Sequence, residues 1–255
     1  MQFGPISTKL LGKGLWLFNE PVDGRPQTDA YLIAGQERAL VIDALTEDRG
    51  LFAEVKKLCD LPLAVAVTHG HPDHAGSALK DFNEAGCEIF MHESDLSILK
   101  PGIDAAWFKP LVKGQVFDLG RRSIEVFPLP GHTPGSMILL DRENQLAFTG
   151  DAIGAGVFWM HIPGALPLSS FLHNLESFCN EVAGWENLAI HTGHAHQAPQ
   201  HKREFLDEVL ALTKDIVSGR VIGEDKVMNF GPHKIEYKTV GRKLMSDYCY
   251  NPNNI

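Results

Sequence analysis

The sequence predicts a layered α/β fold, in which β-sheets carry α-helices on their outer sides. Three observations lead to this prediction. Short apolar runs recur between glycines, prolines and aspartates, one run (Leu63–Thr68) is apolar throughout, and several segments repeat apolar residues at helical spacing. Strands and amphipathic helices in this mixture are typical of sheets that bury their faces under helices.

In the first half of the chain, short strands come first and strands then alternate with helices. We predict strands at Leu15–Phe18, Ala30–Ala34, Ala39–Ile42, Leu63–Thr68 and Glu88–Met91. A helix is predicted over Asp48–Cys59, because Leu51, Val55 and Leu58 keep a helical spacing. A second helix is predicted over Ala75–Ala85, which is followed by a glycine.

The second half repeats this organisation. Strands are predicted at Gln115–Leu119, Ser123–Pro128, Met137–Leu140, Leu146–Thr149 and Leu188–His191. One helix face runs from Leu168 to Val182, and a final helix runs from Phe205 to Ile216. The segment Gly219–Ile255 shows no regular pattern. We therefore predict one main domain over residues 1–218 and a C-terminal extension, residues 219–255, that packs on it.

Composition and charge narrow the classes of function. The chain has 255 residues, a formal net charge of −9 and 44% apolar residues, which is enough for a single hydrophobic core. An acidic balance argues against nucleic acid, because phosphate contacts need basic faces. No stretch approaches the roughly 20 apolar residues of a membrane span. We expect a cytoplasmic protein with a small-molecule substrate, no nucleic-acid or membrane partner, and room for a homo-oligomer.

The strongest chemical signal is a hexapeptide that directly follows a predicted buried strand. It places three histidines and one aspartate within six positions, namely His69, His71, Asp73 and His74. Imidazole and carboxylate groups are ligands that suit zinc, iron or manganese. In a tight loop, two ligands can converge on one ion while the next two face a second. We interpret the hexapeptide as a metal-binding loop.

Three further elements place a metal-ligand type of residue at the end of a predicted strand. His132 lies in the segment Pro130–Ser136, Asp151 follows Thr149-Gly150, and His194 follows Thr192-Gly193. Any one of them alone is more typical of a packed histidine or a turn aspartate. Together with the hexapeptide they predict one site assembled from four strand ends.

In these four elements the chain resembles the metallo-β-lactamase-fold hydrolases, over about residues 30–196. The resemblance implies a four-layer αβ/βα sandwich of two mixed sheets with helices outside, and identifies residues 1–218 as the catalytic domain. It implies a first metal held by His69, His71 and His132. A second metal would be held by Asp73, His74 and His194, with Asp151 bridging both. Zinc is the usual metal of this family, and iron and manganese suit the same ligands.

This ligand set predicts hydrolysis. Two divalent ions would lower the pKa of a bound water to about 7 and polarise a carbonyl or phosphoryl oxygen. A hydroxide bridging the metals would then attack an ester, thioester, lactone or similar small molecule. Asp73 is the expected catalytic carboxylate, since it can orient this nucleophile or move its proton.

The segment Ala152–His161 is the predicted substrate wall. It is a glycine-containing stretch that turns aromatic beside Asp151, and Phe158, Trp159, Met160 and His161 are the expected substrate contacts. The alternative, that this loop only packs against a sheet, stays open.

Other functions also remain open. The run Gly150–Gly156 resembles relatives that cleave phosphocholine esters, and an aromatic wall would attract a quaternary ammonium group. The glyoxalase II-like and phosphodiesterase-like branches are not separated by the sequence. An iron-dependent redox enzyme of the same fold is a further alternative, and a metal-containing binding or sensor protein is another.

Overall fold

The computed structural model describes residues 4–12, 14–23, 25–197, 201–230, 233–245 and 247–255. Seven strands form the first sheet in chain order: β1 Ser7–Gly12, β2 Leu15–Val22, β3 Arg25–Ala34, β4 Ala39–Ile42, β5 Leu63–Ala66, β6 Glu88–Met91 and β7 Phe108–Pro110. Strands β1 to β4 pair antiparallel, and β4 to β7 pair parallel. The parallel half needs crossover connections, and the helices α1 Leu51–Leu58 and α2 Leu79–Glu84 lie in two of them.

The second sheet has five strands, β8 Val116–Asp118, β9 Ser123–Pro128, β10 Met137–Asp141, β11 Leu146–Gly150 and β13 Ala189–Thr192. Its order is β13-β11-β10-β9-β8, and only the β11–β13 pair is parallel. Two longer helices accompany this half of the chain, α3 Leu168–Glu181 and α4 Arg203–Val217.

Three hydrophobic cores give the molecule four layers. Residues of both sheets, such as Ile42 and Phe148, form the central core. A second core joins the first sheet to α1 and α2, through residues such as Val65 and Leu79. A third joins the second sheet to α3 and α4. The order is therefore helices, sheet, sheet, helices, as predicted.

The C-terminal residues form a third sheet, so the sequence-based reading of this segment as irregular is wrong. Strands β14 Glu224–Phe230, β15 His233–Val240 and β16 Asp247–Tyr250 join β12 Val157–Met160 in the order β12-β16-β15-β14. Strand β12 lies inside the segment that we expected to be a loop. Strand β12 is too short for alternation to be visible in the sequence, so only its pairing identifies it as a strand. The paired strand lies about 90 residues further along the chain.

The third sheet packs on the same core as the second. The Phe158 and Tyr248 rings stack with centroids 5.0 Å apart, and the Tyr248 hydroxyl lies 2.9 Å from Thr213 Oγ1 on α4. The C-terminal segment thus packs against the helices of the main body, while the division at residue 218 stays a prediction. Within the described ranges, no helix is both long and apolar enough to cross a membrane.

Candidate metal centre

The predicted ligand loops all begin where a strand ends. The hexapeptide follows β5, His132 follows β9, Asp151 follows β11, and His194 follows β13. Strand β5 belongs to the first sheet and the other three to the second. The site is therefore assembled from both sheets, and its side chains are held by strand ends rather than by one long loop.

The structure brings all seven predicted ligands together in two groups. In each group the possible ligand atoms lie within 4.8 Å of one another. The first group is His69, His71 and His132, and the second is Asp73, His74, Asp151 and His194. Asp151 lies between them, since its Oδ2 is 3.3 Å from His194 Nε2 and 3.8 Å from His132 Nε2.

Backbone and side-chain acceptors fix which nitrogen of each imidazole faces the site. Nδ1 of His132 donates to the Trp159 carbonyl at 2.8 Å, and Nδ1 of His194 donates to the Gln27 carbonyl at 2.6 Å. Each of these rings consequently presents the lone pair of Nε2 to its group. His71 presents the other nitrogen, because its Nδ1 lies 2.9 Å from His132 Nε2.

The donor set fits divalent cations. Three buried ligand atoms have no hydrogen-bond partner among the described residues: His69 Nε2, His74 Nε2 and Asp151 Oδ1. Buried polar atoms without partners are costly, and bound ions would satisfy all three. The nitrogen-to-oxygen distances in and between the groups are 3.3 to 3.8 Å. A tetrahedron with metal–ligand distances of about 2.1 Å has edges of about 3.4 Å.

The two groups differ in electrostatics. Burial, reinforced by the neighbouring imidazoles, holds the pKa of His69 well below its usual value and lowers the pKa of His132 to about 4. Burial also acts on His74, but Asp151, Asp73 and Asp43 outweigh it and raise the pKa of His74 well above its usual value. The imidazoles of the first group are therefore neutral at pH 7. The carboxylates of the second group stabilise positive charge beside them.

Asp43 supports both groups and was missed by the sequence analysis. It is 1% exposed and follows β4 directly, with a positive φ of 62°. Its Oδ2 accepts from His74 Nδ1 at 2.8 Å and from Thr68 Oγ1 at 2.9 Å, and that hydroxyl lies 3.2 Å from His69 Nδ1. An aspartate directly after a buried strand is the same signal that indicated Asp151, so it could have been found.

Asp95 is a second missed carboxylate, and it is completely buried. Its Oδ2 accepts from the Gly70 amide at 2.9 Å and from Thr133 Oγ1 at 2.6 Å. Its Oδ1 accepts from the Gly135 amide at 2.7 Å. Asp95 therefore ties the hexapeptide loop to the loop of His132, which together supply the whole first group.

The predicted substrate contacts fall on the two faces of β12. Phe158 and Met160 are 0% and 2% exposed and belong to the core with α3 and α4, so the structure contradicts their placement on a substrate wall. The physical reason is the alternation of a strand, which our loop interpretation did not include. Trp159 and His161 lie on the opposite side, with ring centroids 5.3 Å apart.

The structure is a sandwich of two sheets that brings histidine and aspartate side chains from both sheets together at one edge, and this arrangement defines a class of α/β proteins. The sequence profile of the Metallo-beta-lactamase superfamily matches residues 23–219. The chain belongs to this superfamily, and the fold predicted from the sequence is confirmed.

The relatives of this chain include hydrolases. It is 32% identical to the hydroxyacylglutathione hydrolase GloC of Haemophilus influenzae over 53% of this chain and 71% of that protein. It is 28% identical to the acyl-coenzyme A thioesterase MBLAC2 of Gallus gallus over 60% of this chain and 68% of that protein. A metallo-beta-lactamase from Pontibacter korlensis shares the fold, with a TM-score of 0.66, 17% identity, and coverage of 82% of this chain and 99% of that one.

Gly193 allows His74 and Asp151 to approach each other, and this gives a first prediction. A Cβ at this position would lie 2.2 Å from His74 Cε1 and 2.9 Å from Asp151 Oδ1. We expect Gly193→Ala to displace these two side chains and to lower metal affinity of the second group by about 10- to 100-fold. Titration of the metal-free protein with zinc, followed by calorimetry, measures this. Gly184→Ala is the control, because no atom lies within 4 Å of its added Cβ; equal affinities in both variants would contradict the prediction.

Proposed function

We propose that this protein is a dinuclear metal-dependent hydrolase that cleaves the acyl bond of a small molecule, with a thioester as the first candidate substrate. The observation that carries this proposal is the pair of ligand groups with Asp151 between them. His69, His71 and His132 would hold one ion, and Asp73, His74 and His194 would hold the other.

Bound divalent ions, zinc being the first candidate and iron or manganese alternatives, would supply Lewis acidity and a nucleophilic water at neutral pH. The protein supplies the orientation. Hydrogen bonds from Nδ1 to fixed acceptors lock the rings of His74, His132 and His194, so their lone pairs are aimed before substrate arrives. Such preorganisation is the main contribution that a protein makes to stabilising developing charge.

Asp73 is the carboxylate placed to contact the attacking water. Its side chain is 34% exposed, compared with 11% for Asp151, and its Oδ2 lies 3.4 Å from His194 Nε2. Burial raises the pKa of Asp73, but His74 and His194 outweigh this and bring it to about 2. A carboxylate this acidic stays ionised at neutral pH, so it accepts a hydrogen bond from the water and orients it.

The relatives support the thioester class. Their names describe a hydrolase of hydroxyacylglutathione and a thioesterase of acyl-coenzyme A, in both of which a thiol carries the acyl group. The second group, with two carboxylates and two imidazoles, favours a centre of two metals.

The test combines metal analysis with turnover under anaerobic conditions. We expect about two equivalents of metal per chain, and hydrolysis of an acetyl thioester without oxygen. Lactone and phosphocholine-ester substrates are measured in parallel. Turnover of the phosphocholine ester alone would favour the phosphodiesterase, and oxygen uptake by an iron-loaded protein would favour the redox enzyme. A metal-loaded protein without any product would indicate a binding or sensor protein.

A further inference from the structure

Four side chains form a continuous ladder on the outer face of the third sheet. Trp159 of β12 stacks on His161 with centroids 5.3 Å apart, and His161 stacks on Tyr237 of β15 at 4.3 Å. Met228 of β14 adds its sulfur, which lies 3.0 Å from His161 Nε2. We call these four residues the aromatic ladder.

The ladder begins at the candidate metal centre. One edge of β12 pairs with β16, and the Trp159 carbonyl accepts the hydrogen bond from His132 Nδ1 at 2.8 Å. The backbone of Trp159 therefore contacts a ligand of the first group. The inner face of the same sheet is covered by α3 and α4, through the contacts of Phe158 and Tyr248. Trp159 and Tyr237 are only partly buried, so the ladder is accessible to solvent both beside His132 and at Tyr237.

His161 gives the ladder one polar atom without a hydrogen-bond partner in the part of the chain that the structure describes. It is 4% exposed, and its Nδ1 is a buried atom with no hydrogen-bond partner among the described residues. Burial lowers the pKa of His161 to about 4, so the ring is neutral at pH 7. With Nε2–H directed at the Met228 sulfur, Nδ1 offers a lone pair to a hydrogen-bond donor.

The charged groups beside the ladder are paired, so the rings themselves decide which group the ladder favours. Lys226 is the cross-strand partner of Tyr237, and strand alternation puts both on the outer face. Lys226 Nζ lies 3.4 Å from Glu224 Oε2, two residues away on the same face of β14, so these two charges offset each other. Three stacked rings without a charge of their own favour a flat apolar group, because ring pairs prefer stacked or edge contacts beyond their buried area.

We infer that the aromatic ladder is the subsite for the acyl group of the substrate, and that this acyl group is flat and apolar, such as an aromatic ring system. This inference rests on the proposed function, because it assigns the wall on which the acyl group lies while its carbonyl faces the metal centre. It adds Tyr237 and Met228 to the substrate contacts, neither of which the sequence indicated.

The binding test uses the metal-loaded full chain and 2-naphthoate, a flat carboxylate that resembles the acid product. Titration calorimetry gives its dissociation constant. We expect Tyr237→Ala and Trp159→Ala each to weaken 2-naphthoate binding about tenfold, which corresponds to the upper range of one lost ring contact. Val227→Ala is the matched control, since Val227 is 56% exposed and adjacent to Met228 but on the other face of β14.

Kinetics separate this inference from the proposed function. The ratio of kcat/KM for a 2-naphthoyl thioester to that for an acetyl thioester should fall about tenfold in Tyr237→Ala and stay unchanged in Val227→Ala. Wild-type turnover of the acetyl thioester judges the proposed function alone. Unchanged 2-naphthoate binding in both ladder variants would overturn the inference, as would tighter binding of choline than of 2-naphthoate to the wild-type protein.

Discussion

Replacing Asp151 with alanine is expected to lower kcat/KM by about 10³-fold or more while the fold remains intact. Its carboxylate approaches both groups, with Oδ2 at 3.8 Å from His132 Nε2 and Oδ1 at 3.5 Å from His74 Nε2. Losing it would remove the negative charge between the two candidate ligand groups and weaken their hold on metal ions, and metal-ion stabilisation of several kcal/mol corresponds to this change in rate. The turn itself is held by its backbone, because the Ala152 amide donates to the Thr149 carbonyl.

The measurement is steady-state kinetics on the best thioester of the panel, together with the metal content of the same preparation. Asp151→Asn is the comparison variant, because it preserves the shape of the side chain and removes only the charge. We expect it to lose metal as well, and Asp118→Ala, a change at an exposed aspartate, to keep both metal and activity. If Asp151→Ala retained two metals and the wild-type rate, the bridging role would be wrong.

That the seven candidate ligand residues lie together could be predicted from the sequence, because each is close to a strand end. A strand followed within four residues by histidine or aspartate can be recognised without knowledge of distant residues, and β5, β9, β11 and β13 all satisfy this rule. The layered fold was predictable for a related reason. The periodicity of apolar residues indicates which face of each helix or strand is buried, and it does not depend on which element packs against that face.

The third sheet could not be predicted in the same way, because its strands are identified by their pairing with one another and not by a pattern within each strand. Strand β12 has four residues and pairs with β16, so the fold of the predicted substrate wall depends on the C-terminal segment. The segment did contain a signal of a strand. Ile235, Tyr237 and Thr239 alternate with the charged residues Glu236 and Lys238. Many charged residues in a short segment made it resemble an irregular tail, although edge strands commonly carry such charges.

The helices illustrate a smaller error of the same origin. The second helix was predicted to begin at Ala75 and begins at Leu79. Residues before it are turns whose backbone serves the metal loop, as in the bond from the Ala75 amide to the His71 carbonyl. Composition there favours helix, but the geometry that directs His71 and His74 into the site prevents an earlier start.

Replacing Asp95 with alanine is expected to destabilise the protein and to empty the first ligand group. Three buried donors, the amides of Gly70 and Gly135 and the hydroxyl of Thr133, would lose their acceptor. At 1 to 3 kcal/mol for each unsatisfied donor, the free energy of unfolding should fall by about 4 kcal/mol. Urea denaturation of the metal-free protein measures this change.

The effect on metal binding separates positioning from stability. Asp141 offers the matched control, because it is also completely buried and binds Arg122 Nε at 2.8 Å, but it lies in the second sheet away from the ligands. Both Asp95→Asn and Asp141→Asn should lower stability, and only Asp95→Asn should weaken zinc binding, by about 10- to 100-fold for one of the two ions. If Asp95 positions the ligands, its hydrogen bonds to Gly70 and Thr133 must also fix the three histidines beside them, His69, His71 and His132. Equal zinc affinities in the two variants would therefore mean that Asp95 stabilises the fold without positioning the ligands.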